Sequence, residues 1–428
     1  MTETVRPASG FNGTIQLPPD KSISHRAALF AAISDEKSII ENYSEAADPA
    51  STLSCLKQLG IQIEREKNRV TIQGVGRKGF INPATPLDCG NSGTTMRLLT
   101  GILAGAGVTA ELTGDDSLSG RTMKRIIEPL RRMGATISAQ EDEFAPISLK
   151  DHSGIKPMRY TLPIASAQLK SCVLLAGLFG DEPTEVIEQT PSRDHTERLL
   201  NLTSEPYGQG KIIRSSSSDT IPAQSYTVPG DFSAAAFWMV GAAIQSGSEL
   251  ILKNVGINPS RTGILHVLKQ MGANITLTDE RMQGSEPVAD MKISNSSLQP
   301  IDLDPKLIPN CIDELPILMV AFCFANGRST IRGAEELRHK ETDRLSAMHE
   351  ILTNAGAETT LRDDGIEIEG DPDFKPQNAE FNSYHDHRMA MAAAILSSKA
   401  GGESSILDAD CTAISYPNFW KDLKEVSG

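Results

Sequence analysis

The sequence predicts an α/β protein of two domains, each built from three similar units. Three observations lead to this prediction: the length of 428 residues, a helix-to-strand pattern that recurs along the chain, and the spacing of the glycines in that pattern. A chain of this length exceeds one typical domain, so two domains are expected before any motif is considered. The pattern and its spacing then indicate how many units each domain holds.

The recurring pattern is an apolar helix end, a glycine and a short alternating segment. Glycine suits the left-handed residue that follows a helix, and alternation of apolar and polar residues indicates a strand. The clearest copies are LKQLGIQI (56–63), LRRMGATI (130–137), LKQMGANI (268–275) and LTNAGAET (352–359). A turn and a second strand often follow the first one.

The spacing of these glycines predicts about six units of roughly 70–80 residues. Gly60 and Gly134 are 74 residues apart, and the 138 residues between Gly134 and Gly272 leave room for a degenerate copy near 199–208. The last unit would end at its helix, and we expect the N-terminal strand near 13–17 to complete it. Common helix-to-strand junctions would give a similar pattern, so the spacing alone leaves that alternative open.

The composition excludes several classes of function. The formal net charge is −14, which argues against a nucleic-acid or membrane partner, since both attract positive fields. The six cysteines are scattered without a CxxC pair, so buried reduced thiols are expected rather than disulfides or a zinc site. No secretion signal opens the chain and no apolar run approaches the ~18 residues of a membrane span, so we expect a cytoplasmic protein.

The first polar motif lies at the start of an apolar helix. Asp20 is a good N-cap and the following residues, Lys21–Ile33, form a good helix, with Lys21 and His25 on one face. Cations are poorly placed at the positive end of a helix unless an anion binds there. The motif therefore indicates an anion site, and a capped helix with a solvated first turn is the alternative.

Other segments of the first half have the same design. In CGNSGTTMRLL (89–99), backbone N–H groups and hydroxyls can be directed at an anion, although an ordinary glycine turn has the same composition. Arg121 opens a further predicted helix. Two more segments, IASAQLKSCVLLAGL (164–178) and TPSRDHTERLL (190–200), combine Ser or Gln with Lys or Arg.

The second half adds carboxylates. Asp313 and Glu314 open an apolar helix, where favourable N-terminal carboxylates are the alternative to a functional pair. Lys340 and Arg344 are predicted on one helix face, with Glu341 one step round, and a solvated helix is again the alternative. The HDH sequence near the C-terminus does not suit a metal ion, because neighbouring residues at a helix start do not converge on one ion.

Together these segments supply many cations, a few hydroxyls and two isolated carboxylates, with no nucleophile–base pair and no set of metal ligands. Cationic side chains suit phosphate and carboxylate groups, and carboxylates suit proton transfer. The sequence therefore predicts group transfer between small polyanionic molecules.

These segments, with VPGDFSAAAF and DHRMAMA, occur in one order over essentially the whole chain, and they resemble the 5-enolpyruvylshikimate-3-phosphate synthase family. The resemblance implies two domains, each of three βαβαββ units in an inside-out α/β barrel, in agreement with the count of six. Residues 21–228 would form one domain, and residues 1–20 plus 229–428 the other. The two crossovers, near 20 and 229, would act as a hinge as the domains close over the substrates.

The resemblance also implies an activity, which is transfer of the enolpyruvyl group of phosphoenolpyruvate to the 5-hydroxyl of shikimate 3-phosphate. Phosphate would be released after a tetrahedral intermediate, without metal or organic cofactor. Asp313 would take the proton of the hydroxyl, Glu341 would protonate the methylene carbon, and Lys21 would carry protons. Shikimate 3-phosphate would be bound by Lys21, Ser22, Arg26, Ser166, Gln168, Ser192, Asp313 and Lys340. Phosphoenolpyruvate would be bound by Lys21, Asn91, Gly93, Thr94, Arg121, Gln168, Arg344 and Arg388.

Three positions depart from patterns seen in the family. Thr122 stands where Pro is usual, Leu98 where some members have Pro, and Ile414 where some members have a substrate-binding Lys. Glyphosate competes with phosphoenolpyruvate in this family, and Thr122 and Leu98 adjoin its pocket. Gly93 is kept, so the sequence leaves inhibition by glyphosate open.

Two alternatives remain beside this function. The sister enolpyruvyl transferase acts on UDP-N-acetylglucosamine, but its mobile loop carries a reactive Cys, which TGDDSLSGRT lacks. A non-catalytic binder of anionic metabolites would have no use for both Asp313 and Glu341. We expect a monomer, because one chain supplies all of the polar motifs.

Overall fold

The computed structural model describes residues 1–428, and the chain divides into two units with separate apolar cores. The N-terminal unit consists of Pro19–Val228 with Gln283–Glu286. The C-terminal unit consists of Met1–Pro18, Pro229–Met282 and Pro287–Gly428. All six cysteines are buried and unpaired, as the sequence predicts. No helix is both long enough and apolar enough to cross a membrane.

Helices and strands alternate along both units. The α-helices are α1 (Lys21–Ile33), α2 (Ala47–Gln58), α3 (Gly93–Ala106), α4 (Asp116–Ser119), α5 (Lys124–Arg132), α6 (Ala167–Gly177), α7 (His195–Leu200), α8 (Phe232–Ile244), α9 (Gly263–Gln270), α10 (Ile308–Cys311), α11 (Leu315–Cys323), α12 (Arg344–Asn354), α13 (His387–Ser397) and α14 (Phe419–Val426). The 3₁₀ helices are Pro305–Leu307, Glu335–His339 and Ala409–Ile414. The strands are β1 (Glu3–Val5), β2 (Asn12–Gln16), β3 (Lys37–Glu41), β4 (Gln62–Glu66), β5 (Arg69–Gln73), β6 (Leu87–Asp88), β7 (Ala110–Thr113), β8 (Thr136–Gln140), β9 (Phe144–Lys150), β10 (Arg159–Thr161), β11 (Thr184–Glu188), β12 (Ser204–Tyr207), β13 (Gly210–Ser215), β14 (Tyr226–Thr227), β15 (Glu249–Gly256), β16 (Asn274–Gln283), β17 (Glu286–Ser294), β18 (Gly327–Ile331), β19 (Glu358–Arg362), β20 (Gly365–Gly370), β21 (Glu380–Asn382) and β22 (Ser404–Leu407).

The strands form six small sheets, which confirms the predicted α/β class and the count of six units. The N-terminal unit holds the sheets β14-β3-β5-β4, β6-β7-β9-β8 and β10-β11-β13-β12. In each of these sheets the first two strands are parallel and the later pairings are antiparallel. The C-terminal unit holds the sheets β16-β17-β15-β2, β18-β20-β19 and β1-β22-β21.

The two N-terminal strands complete two different sheets, which corrects the expectation for residues 13–17. Strand β2 pairs in parallel with β15, while β1 pairs antiparallel with β22 in the last sheet. The last sheet already has its own parallel pair, β21 with β22, so it lacks only an antiparallel strand. The sheet of β15 lacks a parallel partner from its own stretch of chain, and β2 supplies it.

The predicted helix ends are confirmed by left-handed backbone at the recurring glycines. Gly60, Gly134, Gly272 and Gly356 have φ values of 90°, 97°, 90° and 87°. The degenerate copy has Asn201 in this place, with φ 51°, directly after α7. Asparagine tolerates this conformation best of all residues other than glycine, which explains why the glycine pattern breaks there.

One helix in each unit of the repeat is almost entirely buried, and its N-terminal end carries a polar motif. The buried helices are α1, α3, α6, α8, α11 and α13. In α8 every residue is buried, as expected for a helix that is apolar on all sides. The polar side chains of these helices lie mainly near the helix starts, where backbone N–H groups are unpaired and favour anions.

Candidate active site

In the N-terminal unit, the first predicted helix has the predicted boundaries and cap. Helix α1 spans Lys21–Ile33, and the Asp20 side chain accepts a hydrogen bond from the Ile23 N–H at 2.8 Å. The ammonium of Lys21 pairs with Asp48 Oδ2 on α2 at 3.0 Å. Asp48 is a partner that sequence reasoning missed. Its acidic character at the start of α2 was the only signal.

Arg26 lies one turn further along α1 and is held on several sides. Its Nε donates to Thr196 Oγ1 at 2.9 Å, and its Nη2 donates to Ser171 Oγ at 3.1 Å. Nη1 donates to the carbonyl of Ser22 at 3.1 Å. These bonds tie α1 to α6 and α7, which carry the other predicted residues of this unit, and they fix the guanidinium in one orientation.

The loop before α3 is joined to the turn that carries Arg121. Arg121 Nη2 donates to Asn91 Oδ1 at 2.7 Å and to Ser117 Oγ at 3.0 Å. Asn91 Nδ2 in turn donates to Asp115 Oδ2 at 2.9 Å. Helix α5 begins only at Lys124, so the prediction that Arg121 opens this helix is wrong. The residue lies in the turn before it, where the preceding Gly120 ends α4.

A third arginine, which the sequence did not single out, joins α3 to α6. Arg97 Nη1 donates to Gln168 Oε1 at 2.6 Å, and its Nη2 donates to the carbonyl of Thr122 at 3.3 Å. Gln168 Nε2 completes the contact by donating to Thr94 Oγ1 at 3.0 Å. The signal that could have identified Arg97 is its position four residues after Gly93, on the same helix face.

Of the two serines predicted in this unit, Ser166 caps a helix and Ser192 belongs to a buried polar cluster. Ser166 caps α6, where its Oγ accepts from the Leu169 N–H at 3.3 Å. The Ser192 N–H and hydroxyl both donate to Glu188, which also accepts from Lys170 at 2.9 Å. The sequence shows no signal for the pairing of Lys170 with Glu188. Lys170 lies on a helix and Glu188 lies on a strand 18 positions further along the chain.

In the C-terminal unit, the two predicted carboxylates lie beside a buried guanidinium. Arg344 Nη2 donates to Glu341 Oε2 at 2.5 Å, and its Nη1 lies 3.5 Å from Asp313 Oδ1. The Arg344 side chain is 1% exposed, whereas those of Asp313 and Glu341 are 19% and 22% exposed. The carboxylates therefore keep access to a ligand, while the guanidinium orients them.

Asp386 holds this arrangement from the buried side. It is fully buried, accepts from Arg344 Nε at 2.7 Å, and caps α13 by accepting from the Arg388 N–H at 2.8 Å. Arg388 Nη1 donates to the carbonyl of Asp313 at 2.8 Å. Burial opposes the charge of Arg344, but Asp386, Glu341 and Asp313 together raise its pKa above the ordinary value. In the sequence, Asp386 stood out only as part of HDH.

Lys340 and Arg344 do not share a helix face, which corrects the prediction for this segment. Asp343 caps α12 by accepting from the Ser346 N–H at 3.1 Å, so the helix begins at Arg344. Lys340 follows the 3₁₀ helix Glu335–His339 and has an extended backbone. Burial lowers the pKa of Lys340 from its ordinary value, and Asp313 and Glu336 oppose that shift.

The three unusual positions have different surroundings. The Thr122 carbonyl accepts a hydrogen bond from Arg97, and Thr122 Oγ1 accepts one from the Lys124 N–H at 3.4 Å. Leu98 is fully buried in the apolar core of the N-terminal unit. Ile414 ends the 3₁₀ helix Ala409–Ile414 and packs partly buried against the core of the C-terminal unit.

The chemistry open to these residues follows from their charges. The N-terminal unit supplies cations, amides and hydroxyls at helix starts, which suit phosphate and carboxylate groups. The C-terminal unit supplies two accessible carboxylates with guanidinium partners, which suit proton transfer beside an anion. No three His, Cys, Asp or Glu residues are grouped so as to hold a metal ion.

Comparison with known proteins gives matches over the whole chain. Residues 5–423 match a family model described as EPSP synthase (3-phosphoshikimate 1-carboxyvinyltransferase). The chain is 49% identical over 431 residues to the 3-phosphoshikimate 1-carboxyvinyltransferase of Salinibacter ruber, with 100% of both chains covered. An EPSP synthase structure from Acinetobacter baumannii is similar with a TM-score of 0.88 and 40% identity, covering 99% of this chain and 98% of that one. The enolpyruvyl transferase NikO from Streptomyces tendae has a TM-score of 0.79 at 15% identity, covering 99% and 96%, which indicates a shared fold.

Proposed function

We infer that this chain, which belongs to the EPSP synthase family, transfers the enolpyruvyl group of phosphoenolpyruvate to the 5-hydroxyl of shikimate 3-phosphate. The products are 5-enolpyruvylshikimate 3-phosphate and phosphate, and the reaction belongs to aromatic amino acid biosynthesis. The observation that carries the proposal is the pair of accessible carboxylates, Asp313 and Glu341, on either side of the buried Arg344. A protein that only bound anions would gain nothing from carboxylates in this place.

The proposed chemistry assigns one proton to each carboxylate. The oxygen of the 5-hydroxyl attacks C2 of phosphoenolpyruvate while Asp313 accepts the proton of that hydroxyl. Glu341 donates a proton to the methylene carbon. The tetrahedral intermediate then loses phosphate by cleavage of its C–O bond, and the Glu341 carboxylate takes back a methyl proton, which restores the double bond. Lys21 is proposed as a further proton carrier. The guanidinium partners of Asp313 stabilise its charge and keep it ready to act as a base.

The cations are proposed to bind the anionic groups of both substrates. Arg121, Arg344 and Arg388 would bind the carboxylate and phosphate of phosphoenolpyruvate, since guanidinium groups match both geometries. The remaining residues proposed for phosphoenolpyruvate are Lys21, Asn91, Gly93, Thr94 and Gln168. Those proposed for shikimate 3-phosphate are Lys21, Ser22, Arg26, Ser166, Gln168, Ser192, Asp313 and Lys340.

Phosphate release from phosphoenolpyruvate tests this function directly. The purified chain is assayed with shikimate 3-phosphate in one reaction and UDP-N-acetylglucosamine in another, both with EDTA. Release with shikimate 3-phosphate alone is the expected result. Release with UDP-N-acetylglucosamine alone would assign the sister reaction instead, and no release in either reaction would favour a binding protein.

Sedimentation of the same sample tests the proposed monomer, and fractionation of cells tests the proposed cytoplasmic location.

Glyphosate is proposed as a competitor of phosphoenolpyruvate, and Gly93 is where this can be probed. A Cβ added at Gly93 would lie 2.8 Å from Arg97 Nη1 and 3.7 Å from Arg121 Nη1. Because Arg97 is also bonded to Gln168, it can move only by weakening that contact. Gly93→Ala is therefore expected to raise the KM for phosphoenolpyruvate about tenfold, as overpacking typically costs about 1–3 kcal/mol.

Steady-state kinetics, with a glyphosate titration at several phosphoenolpyruvate concentrations, measure this effect. Gly401→Ala is the control, because an added Cβ there meets no atom within 4 Å. The KM for shikimate 3-phosphate should change less than about twofold. An unchanged KM for phosphoenolpyruvate in Gly93→Ala would contradict the proposed role of this loop.

A further inference from the structure

His25 belongs to the first polar motif, but the proposed reaction gives it no role. It is fully buried on α1, one helical turn after Lys21. Its Nδ1 lies 2.7 Å from Thr52 Oγ1 on α2, and Thr52 is one turn after Asp48, the partner of Lys21. Two polar contacts at the same four-residue spacing therefore join α1 to α2, one made by Lys21 and one by His25.

The contact of His25 continues as a chain of hydroxyl groups to the start of α3. Thr52 Oγ1 lies 2.7 Å from Thr95 Oγ1, which also lies 3.5 Å from His25 Nδ1, and Thr95 Oγ1 donates to Ser92 Oγ at 2.8 Å. Ser92 Oγ also accepts from the Thr95 N–H at 3.1 Å, as the N-cap of α3. All four side chains of this chain are buried. The chain thus ends at Ser92, between Asn91 and Gly93 of the loop proposed to bind phosphoenolpyruvate.

The direction of these bonds follows from the number of hydrogens. A threonine hydroxyl has one hydrogen, and that of Thr95 is donated to Ser92. The bond between the two threonines must then be donated by Thr52, whose only hydrogen is used in this way. The bond between His25 and Thr52 must therefore be donated by the ring nitrogen, so that the proton of His25 is on Nδ1.

The surroundings of the ring agree with a neutral imidazole of this tautomer. Burial, and then the charges of Lys21 and Arg26, lower the pKa of His25 well below its ordinary value. The buried Nε2 makes no hydrogen bond, so the ring is held from its Nδ1 side alone. A protonated ring would place a second donor there with no acceptor, at the cost of a buried unsatisfied charge.

We propose that His25, neutral and protonated on Nδ1, is a positioning residue that fixes residues 91–94, at the start of α3, relative to Lys21 through Thr52, Thr95 and Ser92. The proposal rests on the proposed function, because it takes the loop as part of the phosphoenolpyruvate site. Its effect is on binding rather than on the chemical step. Loss of this chain of hydrogen bonds would let Ser92 and its neighbours move. It would weaken binding of phosphoenolpyruvate more than binding of shikimate 3-phosphate.

The first test compares substitutions that keep or remove the donor. In His25→Asn the amide nitrogen is as many bonds from Cα as Nδ1 and can donate to Thr52, whereas His25→Leu has no donor. His25→Leu is expected to raise the KM for phosphoenolpyruvate about tenfold, with kcat and the KM for shikimate 3-phosphate changed less than about threefold. His25→Asn should stay within about threefold of the wild type for all three parameters.

A second pair of variants covers the case in which His25→Leu does not fold. Thr52→Val removes the central hydroxyl at nearly constant volume and should reproduce the effect of His25→Leu, while Thr52→Ser should restore the wild-type KM. The effects of His25→Leu and Thr52→Val should not add in the double variant, because both interrupt one chain. His349→Leu is the control: His349 Nδ1 makes a similar contact with Thr359 Oγ1, at 2.6 Å, in the C-terminal unit.

The second test does not depend on activity. The wild-type chain is labelled with ¹⁵N-histidine, and long-range ¹H–¹⁵N spectra report the tautomer of each of its 8 histidines. The signal that disappears in His25→Asn identifies His25. A neutral ring with its proton on Nδ1 is expected, and a proton on Nε2 would overturn the proposal, because the chain would then run in the opposite direction.

The kinetic outcomes separate this proposal from the proposed function. A wild-type protein that releases no phosphate would overturn the proposed function, and with it the role of the hydroxyl chain in that reaction. If the wild-type protein is active, and the KM for phosphoenolpyruvate is unchanged in His25→Leu and in Thr52→Val, the positioning role alone is overturned. A loss of thermal stability without a change in KM would have the same meaning, since it would show a contact that only supports the fold.

Discussion

Asp313→Asn is expected to lower kcat about 100-fold or more, because a positioned general base typically contributes a factor of about 10²–10⁴. Asparagine has nearly the same shape as aspartate, but it cannot accept the proton of the 5-hydroxyl. The main-chain contact with Arg388 is unaffected, since Arg388 Nη1 donates to the carbonyl of residue 313. The KM for shikimate 3-phosphate should therefore change less than about threefold. Phosphate release under saturating substrates measures the effect.

The control for this substitution is Asp363→Asn, which removes one carboxylate from an exposed position of the same unit. It should leave kcat unchanged and show that loss of one negative charge is harmless elsewhere. A decrease of less than about tenfold in Asp313→Asn would contradict the assigned base. In that case Glu341→Gln should be examined next, because Glu341 is the other accessible carboxylate bonded to Arg344.

The parts of the site that could be predicted are the helix starts. A polar residue before an apolar helix must face a different environment from the helix itself. The sequence alone therefore predicts that such residues lie near helix starts, as do Lys21, Asn91, Ser166 and Asp313. The caps at Asp20, Ser92 and Ser166 follow from the same local rule. Local rules failed at two helix starts: α5 begins at Lys124 rather than at Arg121, and the cap at Asp343 places the start of α12 at Arg344.

The partners of these residues could not be predicted, because they depend on tertiary contacts. Asp48 meets Lys21 across two helices, and Arg97 meets Gln168 over 71 positions in the chain. Asp386 meets Arg344 over 42 positions. A carboxylate or arginine near an apolar helix has the same local pattern whether it faces solvent or a buried ion, so only the fold can distinguish the two.

The repeats could be counted from sequence for a similar reason. The left-handed residue after each helix restricts the choice of amino acid, which gives the glycine pattern its regular spacing. The pairing of β1 and β2 imposes no such restriction. Short alternating strands fit either sheet by composition, and the choice depends on which sheet lacks a parallel or an antiparallel neighbour.

The buried charge cluster beside Ser192 leads to a prediction on stability. Lys170 Nζ lies 2.9 Å from Glu188 Oε1 and 2.8 Å from Glu197 Oε1, and all three side chains are buried. Lys211, which is partly exposed, lies 3.1 Å from Glu197. Burial raises the pKa of Glu197, but Lys170 and Lys211 outweigh this effect and lower it overall. Its ion pairs therefore stabilise the fold above the ordinary pKa and lose that effect as the pH falls through the lowered one.

Lys170→Met is expected to lower the free energy of unfolding by about 3–5 kcal/mol, because removal of one partner leaves a buried carboxylate uncompensated. Methionine keeps the apolar stem of the lysine, so the loss is one of charge rather than of packing. Lys211→Met is the matched control and should cost about 1 kcal/mol or less, since a partly exposed pair is screened by water. The measurement is denaturant unfolding at neutral pH.

A second substitution tests whether the cause is charge. In Lys170→Met/Glu188→Gln, the pair of Glu197 with Lys211 remains, and the glutamine oxygen can still accept from the Ser192 N–H. At least half of the lost stability should return, because a buried pair replaced as a whole is often tolerated. The double variant should also bind shikimate 3-phosphate more tightly than Lys170→Met alone, since Ser192 is proposed to contact its phosphate. If the double variant were less stable than Lys170→Met, an uncompensated charge on Glu188 would not be the cause of the lost stability.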